Sequence, residues 1–465
     1  MSDSGLQAAT TRMRDRGIDE SAIRVFGHYY RELEAGTTGT IPEASIEPLG
    51  STPALSDLTA TEAERATALS HTVVIKLNGG LGTSMGLSGP KTALEVRDGL
   101  TFLDIIVRQV LALRRAHGVD LPLVLMDSFR TREESLGALA AYDELPVGDL
   151  PLDFLQNAEP KLTADGLDPV DWPDDPTLEW CPPGHGDIYV ALASSGLLDA
   201  LRSKGFRYAF LSNSDNLGAT CEPEIPAWMA REGIPYVAEV CPRTINDRKG
   251  GHLARRRADG RIVLRDSAMV VPGEEHFFAD NERHRVFHAN NLWVDLDVLD
   301  AVLTARDGVL GLPIIVNRKT VDPSRKDSTK VIQIESAMGA AIETFEGSQA
   351  LLVPRSRFRP VKTTNELLLL RSDLFDIDAA YDIVPTGSGP EPLVDLDGHY
   401  TLIDDFDTRF PRGVPSLAAA TSFRVTGDVT FGADVVCAGD VVVSAAEDGA
   451  AFVEDGARLT GTATV

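Results

Sequence analysis

Apolar positions run through this chain in two rhythms. Ile23, Phe26, Tyr30 and Leu33 recur at helical spacing, so residues 1 to about 36 read as helical, with Asp19 or Ser21 as cap. Those side chains are expected in a core rather than around a ligand. Thr37-Thr38-Gly39-Thr40-Ile41-Pro42 breaks the helix, irregular chain follows, and a short helix over 61–69 leads into Thr72-Val73-Val74-Ile75. That β-branched run predicts a buried strand. Thr92-Ala93-Leu94-Glu95-Val96 reads as another strand and Asp98-Gly99 as a turn. Thr101 and Asp104 then open a helix with a capping-box pattern that runs to about His117. Apolar strands recur at 121–126, 208–211 and 236–240, with helical stretches between them. The alternation predicts an α/β fold with a mixed, mostly parallel sheet whose ligands sit beyond the carboxyl ends of its strands. From about Tyr400 the pattern changes to short Val/Thr/Ala/Gly-rich strands, including 422–429 and 439–443. Valines there recur at roughly six-residue intervals, as in the coils of a β-helix.

The first strand ends in an unusual loop. Asn78-Gly79-Gly80-Leu81-Gly82-Thr83-Ser84-Met85-Gly86 holds four glycines, and Gly89-Pro90-Lys91-Thr92 follows. Without a Cβ, glycine lets backbone N–H groups close around phosphate oxygens. A glycine-rich turn alone can be just a tight loop; the lysine behind it points to nucleotide binding. The dinucleotide fingerprint G-x-G-x-x-G would need glycine at Met85, and a Walker A loop would need glycine directly before Lys-Thr, where Pro90 stands. This is a third kind of phosphate loop.

Other stretches carry candidate chemistry. Pro182-Pro183-Gly184-His185-Gly186-Asp187 enforces a rigid turn that presents a histidine. Asn213-Ser214-Asp215 follows an apolar strand, where an aspartate is either a turn former or a hard oxygen ligand for Mg²⁺. Glu335 is either an acceptor for a sugar hydroxyl or a helix-start carboxylate. Arg355-Ser356-Arg357-Phe358-Arg359-Pro360-Val361-Lys362 gathers four cations, and Thr363 with Glu366 makes a capping box directly after it.

Charge sharpens the picture. Lys and Arg number 44 against 70 Asp and Glu, a net charge of −26 over 465 residues, which argues against general binding to nucleic acid or anionic membrane. A cluster of four cations in so acidic a chain therefore stands out. Cys181, Cys221, Cys241 and Cys437 are widely spaced, without a C-x-x-C pair, as expected of reduced thiols in the cytoplasm rather than disulfides or zinc. The first residues hold no apolar secretory core, and no apolar run approaches membrane-spanning length, so a cytoplasmic protein is expected.

The glycine stretch, from Lys76 to Gly86 and on through Gly89-Pro90-Lys91, resembles the signature of eukaryotic-type UTP–glucose-1-phosphate uridylyltransferases, and further matching stretches run from about Ala44 to Lys362. The related UDP-N-acetylhexosamine pyrophosphorylases carry Ala at the position of Asn78. The resemblance implies a Rossmann-like nucleotidyltransferase domain over 71–385 with an N-terminal helical segment, 1–70, packed on it. It also implies a C-terminal left-handed β-helix, 386–465, through which some members assemble into homo-oligomers. The implied reaction joins UTP and glucose 1-phosphate into UDP-glucose and pyrophosphate with Mg²⁺. No protein nucleophile is required, because positioning and electrostatics carry such a transfer.

Residue roles follow from the same resemblance. Leu77, Asn78, Gly79 and Gly80 contact UTP through main-chain groups, Lys91 approaches the phosphates, and Gly184 lies against the nucleotide. Gln156 reads the uracil edge, for which an amide supplies donor and acceptor together. Asp215 binds the metal and Asn213 holds the nucleotide. On the sugar side stand His185, Gly251 in Lys249-Gly250-Gly251, Asn290 and Glu335, joined by Gly79, Gly80 and Asn213. Lys362, in Pro360-Val361-Lys362-Thr363-Thr364, is the catalytic lysine together with Lys91. The rival enzymatic reading is a pyrophosphorylase for another sugar 1-phosphate, galactose or an N-acetylhexosamine. A non-catalytic UDP-sugar binder would be expected to lose a charge-stabilising group, yet Lys91, Asp215 and Lys362 are all present.

Overall fold

Seven strands carry the site: β1 (Thr72–Leu77), β2 (Leu123–Asp127), β3 (Asp153–Leu155), β4 (Tyr208–Asn213), β5 (Tyr236–Pro242), β6 (Val286–Asp295) and β7 (Gln349–Leu352). The computed structural model describes residues 3–244, 247, 250–445 and 451–465, so Lys249 lies outside the described residues. The seven strands form one sheet in the order β7-β5-β6-β4-β1-β2-β3. All neighbours run parallel except β6, which is antiparallel to both β4 and β5. Strands β1, β2 and β4 are apolar almost throughout because helices cover both faces of a parallel sheet, leaving no wet side for polar alternation. From β1 the chain moves outward to β2 and β3, then returns to place β4 on the other side of β1. The loops leaving β1 and β4 thus diverge at a topological switch point, where ligands of such sheets bind.

The N-terminal stretch is not one helix but two, α1 (Asp3–Asp15) and α2 (Glu20–Glu34). Gly17, at φ 76°, turns the chain between them, and Asp19 caps α2 by accepting from the Ser21 N–H. Ile23, Phe26 and Tyr30 are buried in a small cluster with Ala9, Met13, Leu162, Ile314 and Ile334. Helix α3 (Glu62–Ser70) and helix α4 (Phe102–His117) both begin in complete capping boxes, at Thr61–Glu64 and Thr101–Asp104.

Two further stretches depart from expectation. Residues 92–96 do not form a strand: Lys91–Ala93 is a 3₁₀ turn and only Glu95–Arg97 is extended. The Thr92 hydroxyl donates to the buried Asn78 carboxamide at 2.7 Å, a tertiary contact that outweighs β propensity. Helical pattern also persists beyond Tyr400, in Ile403–Arg409, where Ile403, Phe406 and the following Phe410 point one face into the core.

The C-terminal strands are β8 (Leu393–Leu396), β9 (Ser416–Thr426), β10 (Val429–Phe431), β11 (Val436–Ser444), β12 (Ala451–Val453) and β13 (Arg458–Thr464). β8, β9, β11 and β13 pair in parallel in that order, and β10 pairs in parallel with β12, so successive windings of the chain stack on one another. Phe423, Val429, Phe431, Val441 and Val443 fill the interior and belong to one apolar cluster that continues through Val361 and Leu367 to Val74 and Phe210.

Candidate active site

The floor of the site is the junction of β1 and β4. Their last residues are in register, Leu77 opposite Asn213, and the Ser214 N–H donates to the Leu77 carbonyl at 3.2 Å. Beyond Leu77 the glycines admit neighbours that side chains would exclude. A Cβ on Gly79 would stand 2.6 Å from Gln156 Oε1, so the amide lies directly against the loop. Leu81 and Pro90 make an antiparallel bridge, and the Lys91 N–H donates to the Gly80 carbonyl at 3.4 Å, folding the lysine back over the glycines.

The second wall comes from the basic segment. Asn216 and Pro360 form a bridge, the Val361 N–H donates to the Asp215 carbonyl at 3.0 Å, and a Cβ on Gly218 would collide with the Ser356 carbonyl at 2.2 Å. The two loops therefore travel as a short ladder. Lys362 Nζ reaches Asp215 Oδ2 at 2.6 Å, Lys91 Nζ reaches the same oxygen at 3.4 Å, and Lys91 also donates to the Val361 carbonyl. Two lysines 271 positions apart (362 − 91) thus converge on one carboxylate oxygen. Burial lowers the Lys91 pKa and neighbouring Lys362 pushes the same way, while Asp215 opposes both. Asp215 Oδ1 is buried with no hydrogen-bond partner.

The third wall is the Pro182–Asp187 turn. Gly184 sits at φ 81°, and a Cβ there would strike Ser336 and Glu335. The Met338 N–H donates to His185 Nδ1 at 3.0 Å, so the proton of the neutral ring resides on Nε2. Asp187 accepts from the Asn157 N–H and side chain at 2.6 and 2.8 Å, which ties the Gln156 loop to this turn; burial pushes the Asp187 carboxyl up to about 6.

These walls enclose a cavity of about 300 Å³ lined by Leu77, Gly79, Gly80, Lys91, Gln156, Gly184, His185, Asn213, Asp215 and Lys362, together with Met126, Pro182 and Ser214. Met126 reads in the sequence as one more core residue of an apolar run, and only the sheet order puts it beside Leu77. Four expected positions do not line the cavity. Asn78 is buried behind it, its N–H committed to the Met126 carbonyl and its side chain to four other groups. Asn290, at φ 58°, reaches the cavity only through Asn213, whose Oδ1 accepts from it at 3.3 Å. Glu335 closes the strand Lys330–Glu335 behind Gly184, which rules out the helix-start reading. Gly251 gives its carbonyl to the His288 N–H at 2.8 Å. On the other side of Gln156 a wider cavity of about 690 Å³ opens past Leu155, Phe129 and Arg16.

The arginines of the basic segment do other work. Arg357 is buried and grips buried Glu239 with Nε and Nη2 at 2.7 and 2.6 Å; Trp293 and Asn291 donate to the same carboxylate at 3.0 Å each. Arg359 lies over Phe375, and Arg355 pairs with Asp247 at 2.6 Å.

A glycine loop, paired lysines and a lone carboxylate gather at the switch point of a mixed, mostly parallel sheet, which makes this an α/β protein with a ligand cleft of the kind such sheets place at their strand ends. The family model for UTP–glucose-1-phosphate uridylyltransferase matches residues 23–438. A UTP–glucose-1-phosphate uridylyltransferase of Solanum tuberosum is 40% identical over 423 residues, covering 90% of this chain and 84% of that protein. The one from Saccharomyces cerevisiae is 39% identical over 382 residues, covering 82% and 75%. Among solved structures, UDP-glucose pyrophosphorylase from Leishmania major superposes with a TM-score of 0.92 at 42% identity, with full coverage of both chains. One described as a UDP-glucose phosphorylase, from Trypanosoma brucei, gives 0.91, also at 42% and full coverage. The chain belongs to the UTP–glucose-1-phosphate uridylyltransferase family.

Proposed function

We propose that this chain joins UTP and α-D-glucose 1-phosphate into UDP-glucose with release of pyrophosphate, and that the cleft between the glycine loop and Lys362 is where it does so. The convergence of Lys91 and Lys362 on Asp215 Oδ2 carries this reading. In-line attack by the sugar phosphate spreads negative charge over the α-phosphate and the departing pyrophosphate, and two ammonium groups entering from different walls oppose it. Lys362 is exposed, held by a single carboxylate contact, and free to exchange that contact for a phosphate oxygen. Glycine-loop backbone groups receive the triphosphate, Gln156 reads the uracil edge, and His185 offers Nε2–H to the sugar phosphate.

Asp215 with its orphaned Oδ1 suits a hard cation bound through one carboxylate and substrate phosphates, which is the usual habit of Mg²⁺. When bound, Mg²⁺ would supply charge neutralisation to the phosphates.

Four free, buried cysteines support a reducing compartment, the cytoplasm. No helix among the described residues is long and apolar enough to cross a membrane. The stacked parallel windings support reading 386–465 as a left-handed β-helix after the 71–385 catalytic domain, with 1–70 packed on the latter. Exposed Leu393 and Phe452 support association of copies through that region. The deciding experiment is Mg²⁺-dependent pyrophosphate release by the purified protein, scanned over nucleoside triphosphates and sugar 1-phosphates. UTP with glucose 1-phosphate should give the highest kcat/KM; a preference for galactose 1-phosphate or N-acetylglucosamine 1-phosphate overturns the substrate assignment.

A further inference from the structure

Asn78 stands one residue beyond β1, is buried, and has every hydrogen-bonding position of its carboxamide in use. Nδ2 donates to Asp127 Oδ1 at 2.7 Å and to Ser135 Oγ at 2.8 Å. Oδ1 accepts from Thr92 Oγ1 at 2.7 Å and from Ser214 Oγ at 3.2 Å. The orientation is determined by the partners: a flipped amide would set Oδ1 against the Asp127 carboxylate. Ser135 Oγ donates onward to the Thr131 carbonyl at 2.8 Å and Thr131 Oγ1 donates to Asp127 Oδ1 at 3.0 Å, so the network closes around Asp127. Two of the four partners are the chain neighbours of the charged groups in the cleft. Thr92 follows Lys91, and Ser214 precedes Asp215.

We propose that Asn78 is a positioning residue for the transfer reaction: its carboxamide sets the separation of Lys91 and Asp215 by holding Thr92 and Ser214 on one oxygen, and touches no substrate atom. This rests on the reading of the cleft given above. A hydroxyl pair bridged by one acceptor cannot spread without breaking a buried hydrogen bond, so Lys91 and Asp215 keep their spacing when substrates replace the contact between them. Aspartate at 78 loses both donors and faces Asp127 with a second negative charge. Exchanging the two, Asn78→Asp with Asp127→Asn, restores a donor to a carboxylate across the same gap.

The test measures kcat, KM for both substrates, UTP affinity and thermal unfolding for N78A, N78D, the N78D/D127N pair, Thr92→Val and K362A. The expected result is a fall in kcat of about 10- to 100-fold for N78A with KM moving less than about threefold, a larger fall for N78D, and recovery of about tenfold or more in the pair. Thr92→Val, nearly isosteric, should lower kcat several-fold while unfolding close to the unsubstituted protein, and it decides the matter if the Asn78 variants do not fold. Unchanged kcat in Thr92→Val, a loss confined to KM in N78A, or failure of the pair to recover overturns the proposal. K362A separates the two levels: if it stays active the reading of the cleft fails, whereas if it alone is inactive only the role of Asn78 does.

Discussion

Arg357 and Lys362 stand five positions apart, and the two cations meet opposite fates. Arg357 is 6% exposed, bidentate to a fully buried Glu239 whose oxygens also receive Trp293 and Asn291. Lys362 is 59% exposed and makes one ion pair, with Asp215. A buried, saturated pair cannot change partners without stranding a charge in low dielectric; an exposed, singly bonded ammonium exchanges ligands at little cost. The basic segment thus has two unlike ends: a buried ion pair at Arg357 and an exposed ammonium at the cleft.

The largest expected effect lies at Arg357. Arg357→Met should cost about 3–5 kcal/mol in urea unfolding because Glu239 is left buried and unpaired, and adding Glu239→Leu should recover most of it. A loss below about 1 kcal/mol would show that the pair does not hold the segment. Lys362→Ala should do the reverse, lowering kcat by about 10²- to 10³-fold, equivalent to roughly 2.7–4 kcal/mol of barrier. Its unfolding free energy should stay within about 1 kcal/mol of the parent, as befits an exposed pair. Loss of both fold and activity in that variant would erase the distinction.

Asp127 sharpens the contrast, being a buried carboxylate held by neutral donors alone, with Oδ2 unpartnered. Burial raises its pKa to about 6 from 3.8, against those hydrogen bonds. The folded state therefore holds the proton more tightly than the unfolded chain. The resulting stability is complete below about pH 4 and is lost as pH rises through about 6. Asp127→Asn should flatten that part of the profile of unfolding free energy against pH, and an unchanged slope would remove Asp127 as its source. The smallest effect belongs to the cap behind Lys362. Thr363 accepts from the Asn365 N–H while Glu366 accepts from the Thr363 N–H and hydroxyl, so Thr363→Ala should cost about 1 kcal/mol in unfolding free energy.

Much of this molecule is written locally. The three capping boxes and the apolar runs of β1, β2 and β4 each follow from a few adjacent residues, because capping and strand burial depend on near neighbours. So does the odd glycine loop with its trailing lysine. Near the cleft, prediction and structure part where a distant contact intervenes: Thr92 forsakes a strand for the Asn78 carboxamide, and Asn78 itself turns inward to Asp127 and Ser135. Glu335 ends a strand because Lys330–Glu335 pairs with residues 315–320, a partner no local pattern names.

Local sequence thus carried the glycine-rich loop, the positions of the charged residues and the α/β character of the fold. The way strands come together set the rest: Lys91 and Lys362 share Asp215, Arg357 is buried against Glu239, and Asn78 stands behind the cleft. The reason is physical: charge and backbone propensity reside in single residues, whereas burial, convergence and the filling of every hydrogen-bonding site depend on which strands become neighbours.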